Sequence, residues 1–147
     1  PDISVNCVFV TNGKRYHDMI LDLKKVNVKL LATSNVECRG GKFDFVINRA
    51  PLLENEQKIM DNSFLMMLKF LRNIGIRKLN CVGFDGYSDK EDNYCNPAME
   101  YGFVKQEAAY LNFHMKKRIC EFREKMDIRF ITFSAYDTEE DINGASI

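Results

Sequence analysis

The string Gly83-Phe84-Asp85-Gly86-Tyr87 is where chemistry is written most distinctly in this chain. Two glycines around an aspartate suit a tight turn that lets a ligand come close to the main chain. Asp85 could meet a ribose hydroxyl or a metal-bound water, or simply brace its own turn. A second cluster is Asp61-Asn62-Ser63, directly ahead of an apolar, helix-spaced run. Side chains of this kind cap a helix, and the same helix start carries free amides and a positive dipole end that can hold an anion. Further polar residues follow other apolar runs: Asn12, Lys14 and Arg15; Ser34 and Asn35; Asn48 and Arg49; Ser134 and Tyr136. Asparagine and serine can hydrogen-bond a sugar or a base, and arginine or lysine can meet a phosphate through charge-assisted bonds. Turns favour the same residue types for reasons of their own.

Other chemistries find less support. Asp89, Glu91 and Asp92 could offer oxygens to a divalent cation, but they lack the ligand spacing and the glycine of a calcium loop and read instead as a solvated loop. His17 and His114 have no partners at zinc or triad spacing, and His114 is expected on a helix surface. Neither G-x-G-x-x-G nor G-x-x-x-x-G-K-[ST] occurs, so no cofactor is assigned and no metal is expected in these residues. No catalytic residue is assigned; Asp85 and Tyr87 are the only acid or base candidates.

The elements that would position these residues follow from hydrophobic periodicity. Val5 to Thr11 is a nearly continuous apolar run, as expected of a strand buried on both faces. Met19, Ile20 and Leu23 mark an amphipathic helix over 14–25, and Lys29 to Thr33 a second strand. Phe43 to Ile47 is a third, joined to the second by a hairpin through Gly40-Gly41 or by a short irregular crossover. A helix with Leu65, Leu68 and Leu71 follows the Asp61-Asn62-Ser63 cap and stops at Gly75. Lys78 to Phe84 is a fourth strand. A long helix is expected from Pro97 almost to Asp127, with Phe103, Leu111, Met115, Ile119, Phe122 and Met126 on its apolar face, and Ile128 to Thr132 is a fifth strand. This order predicts one α/β domain over 1–147: a Rossmann-like, three-layer arrangement around a mostly parallel sheet of about five strands. In such sheets ligands bind outside the carboxyl ends of the strands, where the candidate residues fall.

Composition narrows the class. With 21 basic and 21 acidic residues the formal net charge is zero, which argues against an electrostatic nucleic-acid or membrane binder. No apolar run approaches a membrane span and no signal peptide opens the chain, so a cytoplasmic location is expected. The five cysteines (Cys7, Cys38, Cys81, Cys95 and Cys120) include no C-x-x-C, and Cys7 and Cys81 sit in strand-like runs where a free thiol acts as a small buried hydrophobe. Because the chain opens on Pro1 and enters a strand almost at once, it reads as a fragment of a longer protein.

Val10-Thr11-Asn12-Gly13, Ala32-Thr33-Ser34-Asn35, the Asp61-Asn62-Ser63 helix with Met66-Met67, and Val82 to Tyr87 followed by Asn93-Tyr94 together resemble the carboxyl-terminal domain of aldolases of the 4-hydroxy-2-oxovalerate type. In those proteins the domain follows an HMG-CoA-lyase-like TIM barrel. The resemblance covers nearly the whole chain through short motifs. It implies an N-terminal barrel as partner in the same polypeptide, with any divalent metal held in that barrel and no aldolase chemistry in these residues. More distantly, Asn12-Gly13, Ser34-Asn35 and Gly83-Phe84-Asp85 resemble Rossmann-like sialyltransferases and hydroxymethylpterin pyrophosphokinase-like proteins, which would imply a nucleotide or nucleotide-sugar ligand. The G-N-G-P-S-L type of string is here Thr11 to Tyr16, T-N-G-K-R-Y, so ligand binding is better supported than transfer chemistry.

The expected function is therefore binding of a small phosphorylated or nucleotide-like ligand by Asn12, Arg15, Ser34, Asn35, Asn48, Asp61, Asn62, Asp85, Gly86 and Tyr87. The alternatives are a non-catalytic domain for assembly, as a homo-oligomer or against the barrel, using Met66, Met67 and Phe70, and a nucleotide-dependent transferase.

Overall fold

The computed structural model describes residues 4–23, 25, 27–38, 40–94 and 100–137. Along the chain run β1 (Cys7–Val10), α1 (Gly13–Leu23), β2 (Lys29–Thr33), β3 (Phe45–Ile47), α2 (Ser63–Asn73), β4 (Lys78–Cys81), α3 (Phe103–Gln106), α4 (Ala108–Arg123) and β5 (Asp127–Phe130), with 3-10 turns at Ala50–Leu52 and Gln57–Ile59. Helices and parallel strands alternate as expected, but the strands form two sheets. One has the order β1-β2-β3 and the other pairs β4 with β5, all parallel. Among the described residues no ladder joins the two sheets. Periodicity reports which side chains face a core and carries no information on which strand edges meet, which is why the division was invisible in the sequence.

The β2–β3 link resolves as a short parallel crossover over 34–44. Its end is pinned by Asp44, whose carboxylate accepts from the Leu30 amide at 2.8 Å and from Lys29 Nζ at 3.1 Å. The Leu30 bond first, and Lys29 second, hold the Asp44 carboxyl below its ordinary value.

Each sheet has its own core. Around β4 and β5 the cluster contains Leu65 and Leu68 of α2, Leu111, Met115, Ile119 and Phe122 of α4, with Cys81, Met126 and Ile128. Around β1 and β2 a smaller cluster joins Val10, Ala32, Val36 and Tyr16. Phe9 stacks on Phe70 of α2, with ring centroids 5.8 Å apart. Met66 is fully buried and Met67 packs on the larger cluster, so the residues weighed as an assembly face belong to the interior.

Several expectations are corrected. β1 is not buried on both faces: Cys7 is exposed and Val8 and Phe9 are half-buried, because β1 lies at one edge of a three-stranded sheet. Met19 is exposed, and Tyr16 instead anchors α1. The long C-terminal helix is interrupted at Glu107, which leaves helical geometry at φ −115° and ψ 13°. That break turns Phe103 outward and buries Val104. The expected start of this helix at Pro97, and Cys95, lie outside the described residues. His114 is half-buried, its ring tilted against Tyr110 with centroids 4.2 Å apart.

Candidate functional site

A cleft of about 680 Å³ opens where the chain leaves β1 and β4, beside the start of α2. Its size falls within the roughly 300–1,000 Å³ typical of small-molecule sites.

The β1 side is built by Asn12. Its side-chain oxygen accepts from the Arg15 amide at 3.1 Å and its carbonyl accepts from the Tyr16 amide at 3.0 Å, so it starts α1. Its side-chain nitrogen donates to the Tyr101 hydroxyl at 2.9 Å. Arg15, one turn into the helix, lies with its guanidinium 4.4 Å from the centre of the Tyr94 ring and 5.9 Å from that of Tyr101. Both are cation–π contacts, the nearer and stronger one with Tyr94.

The α2 side rests on Asn62, the residue that caps the helix. It accepts from the Phe64 and Leu65 amides at 3.0 and 3.2 Å and donates to the Tyr87 hydroxyl at 3.0 Å. Capping thus occupies two of the amides that an anion at this helix start would have sought. Ser63 and Thr11 share a hydroxyl hydrogen bond across the cleft. Asp61 pairs with Arg49 at 3.5 Å, and Lys58 pairs with Glu107 while lying over the Tyr110 ring.

The β4 side is the glycine-flanked string. Gly83 and Gly86 have φ of 75° and 107°, in the region glycine alone adopts freely. At Gly86 a Cβ would also fall 2.8 Å from the Ala135 Cβ. Phe84 stacks on Phe64 with centroids 4.0 Å apart. The turn is held by its neighbours: Ser134 Oγ donates to the Phe84 carbonyl at 2.6 Å, the Ala135 amide to the Asp85 carbonyl at 2.9 Å, and Asn112 bonds both the amide and the carbonyl of Tyr87 at 2.8 Å.

Phenols dominate the wall. Burial pushes Tyr87 up to about 12 and Tyr94 adds to it, while Arg15 and the bond from Asn62 pull the other way. Tyr136, 4% exposed, is raised by burial and then by Tyr87, Tyr94 and Asp85. Both are protonated donors at neutral pH. Neither meets the need of a general base for a pKa near the working pH.

Of the residues picked from the sequence, Asn12, Arg15, Asp61, Asn62, Asp85, Gly86 and Tyr87 line this cleft. Ser34, Asn35 and Asn48 do not. Ser34 Oγ accepts from the Arg49 amide at 3.2 Å, Asn48 accepts from the Ala50 amide at 3.2 Å, and Asn35 donates to the Thr11 carbonyl at 3.1 Å while accepting from Thr33 at 2.7 Å. These are turn-forming bonds on the β2 and β3 side. Sequence reasoning missed Lys58, Tyr101 and Asn112. Only Asn112 left a signal, as a poor helix former among the apolar positions of α4. Asp92 is paired with Lys105 at 2.8 Å, and among the described residues no three His, Cys, Asp or Glu side chains come together as a metal site.

A comparison of the chain with known protein families, with curated proteins and with solved structures found no match in any of the three.

Proposed function

We propose that this chain is a non-catalytic accessory domain that holds a small phosphorylated or nucleotide-like ligand in the cleft at the ends of β1 and β4. The observation that carries this reading is the Arg15 guanidinium in cation–π contact with Tyr94 and Tyr101 at the rim of a cleft whose wall supplies protonated phenols. A fork of N–H donors on a rigid aromatic support suits the oxygens of a phosphate. In the fuller version of this reading the two sheets are halves of one Rossmann-like sheet, bridged by Thr11–Ser63 and Phe9–Phe70, and the parent is an aldolase-type protein. In that version any divalent metal would belong to the parent's barrel. Isothermal titration of the chain with nucleoside monophosphates and sugar phosphates tests the site. Arg15→Ala is expected to weaken binding by about tenfold or more, the value of a charged hydrogen bond; a panel in which nothing binds would refute the reading.

One observation favours the assembly alternative. Phe45 and Val46 on edge strand β3, and Val82, Ile131 and Phe133 at the ends of β4 and β5, are large apolar side chains more than half exposed. Apolar surface of this kind marks contact with another protein surface, here a second copy or the barrel. Light scattering across a concentration series checks the homo-oligomer.

A further inference from the structure

We infer that the phosphate of the cleft's ligand is seated on phenol O–H groups, with Tyr136, the most deeply buried of them, as a binding residue. The inference rests on the cleft reading above, names neutral donors that would hold the charged end of the ligand, and does not depend on Arg15. Tyr136 is 4% exposed and belongs to the larger core. Its main-chain amide donates to Ser134 Oγ at 3.2 Å, while its hydroxyl bonds no group among the described residues. A polar group buried without a partner costs about 1–3 kcal/mol. The hydroxyl is not sealed in, because it keeps accessible surface and Tyr136 lines the cleft. Its partner therefore comes from the cleft.

Two neighbouring phenols fix what that partner offers. Asn12 and Asn62 each spend the side-chain oxygen on amides at a helix start, so each presents its NH2 to a phenol, Tyr101 at 2.9 Å and Tyr87 at 3.0 Å. A phenol oxygen that accepts such a bond still has its own proton to give. Neither proton meets an acceptor among the described residues. Burial first, and neighbouring phenols second, keep Tyr87 and Tyr136 protonated. Three lining phenols thus hold O–H donors without protein acceptors. A phosphate answers with three proton-free oxygens. A sugar hydroxyl answers less well, because it brings a proton of its own while the Asn12 and Asn62 oxygens are already engaged. The Asp85 carboxylate in the same lining is exposed, so water screens its repulsion of an anion.

Melting of the 147-residue chain and of Tyr136→Phe without ligand, and titrations of both with AMP, ribose 5-phosphate and ribose, test this. The variant keeps the ring and removes a hydroxyl that no described group bonds, so its melting temperature should equal or exceed that of the unmodified chain. The unmodified chain should prefer ribose 5-phosphate to ribose, and Tyr136→Phe should shrink that preference about tenfold or more, the value of a hydrogen bond to a charged group. AMP should weaken by the same factor as ribose 5-phosphate. A free variant that melts several degrees lower would mean that the hydroxyl is bonded inside the protein, and would overturn the inference. So would a preference for ribose 5-phosphate that survives Tyr136→Phe unchanged, and in both cases the cleft reading stands. If neither AMP nor ribose 5-phosphate binds the unmodified chain, the cleft reading falls and the phenol seat with it.

Discussion

Asn62 shows how much can depend on one side chain. It caps α2 through two amides and also steadies the Tyr87 hydroxyl. Asn62→Ala is expected to cost about 1–2 kcal/mol, the upper range for a lost cap, and to lower the melting temperature by about 2–4 °C per kcal/mol in a domain of this size. Asn62→Asp keeps the cap acceptor but can only accept from Tyr87, so stability should largely return while the Tyr87 titration moves upward. Phenolate absorbance followed through alkali reads both effects. Tyr87 has its ordinary value at 10.0 and about 12 when folded. Between those limits the folded phenol keeps a proton that the unfolded chain has released. Its stabilising contribution is thus complete below pH 10 and is lost as pH rises toward about 12, and Tyr87→Phe should flatten that alkaline limb. Gly86→Ala combines a left-handed backbone with a 2.8 Å approach to Ala135, and a loss of roughly 1–3 kcal/mol in denaturant titration is expected.

Between elements, one tie in the larger unit is electrostatic. Glu54, 7% exposed in the link before α2, pairs with Lys69 of α2 at 3.0 Å and with Arg118 of α4 at 2.8 Å. Removing Glu54 leaves Lys69 with the Leu53 carbonyl and Arg118 with Glu121, so Glu54→Ala should destabilise by about 1–3 kcal/mol in urea unfolding. The smaller unit has an acid-sensitive clasp in Asp44. Because its carboxyl is depressed in the fold, its contribution is present above the ordinary value of 3.8 and is lost as pH falls through the lower folded value. Melting profiles of Asp44→Asn should therefore lack part of the acid limb. These elements were unequally legible in the sequence. The start of α2 could be read from Asn62 followed by helix-spaced leucines, because capping and periodicity are local. The break at Glu107 could not, since the apolar positions from Leu111 to Phe122 keep their spacing on either reading. Glu54 gave no sign of burial, because its two partners are distant in sequence.

At the scale of the molecule, two parallel sheets with separate cores are tied at the cleft by Thr11–Ser63 and Asn12–Tyr101, and outside its lining by Phe9–Phe70. The strand-end rule found the β1 and β4 walls, since Asn12, Arg15 and Asp85 to Tyr87 follow those strands directly. It could not exclude Ser34, Asn35 and Asn48, because strand adjacency decides which ends face one cavity. Nor could it find Tyr101 or Lys58, which reach the site only through tertiary packing. The most direct test of the central claim is a melting-temperature comparison of the chain and its Arg15→Ala variant, each with AMP and ribose 5-phosphate in excess. Binding predicts stabilisation of the unmodified chain by about 2.7 kcal/mol at a hundred times the dissociation constant, with most of it lost in the variant. An unmoved melting temperature with both compounds, or a shift of equal size in the variant, would contradict a phosphate site at Arg15.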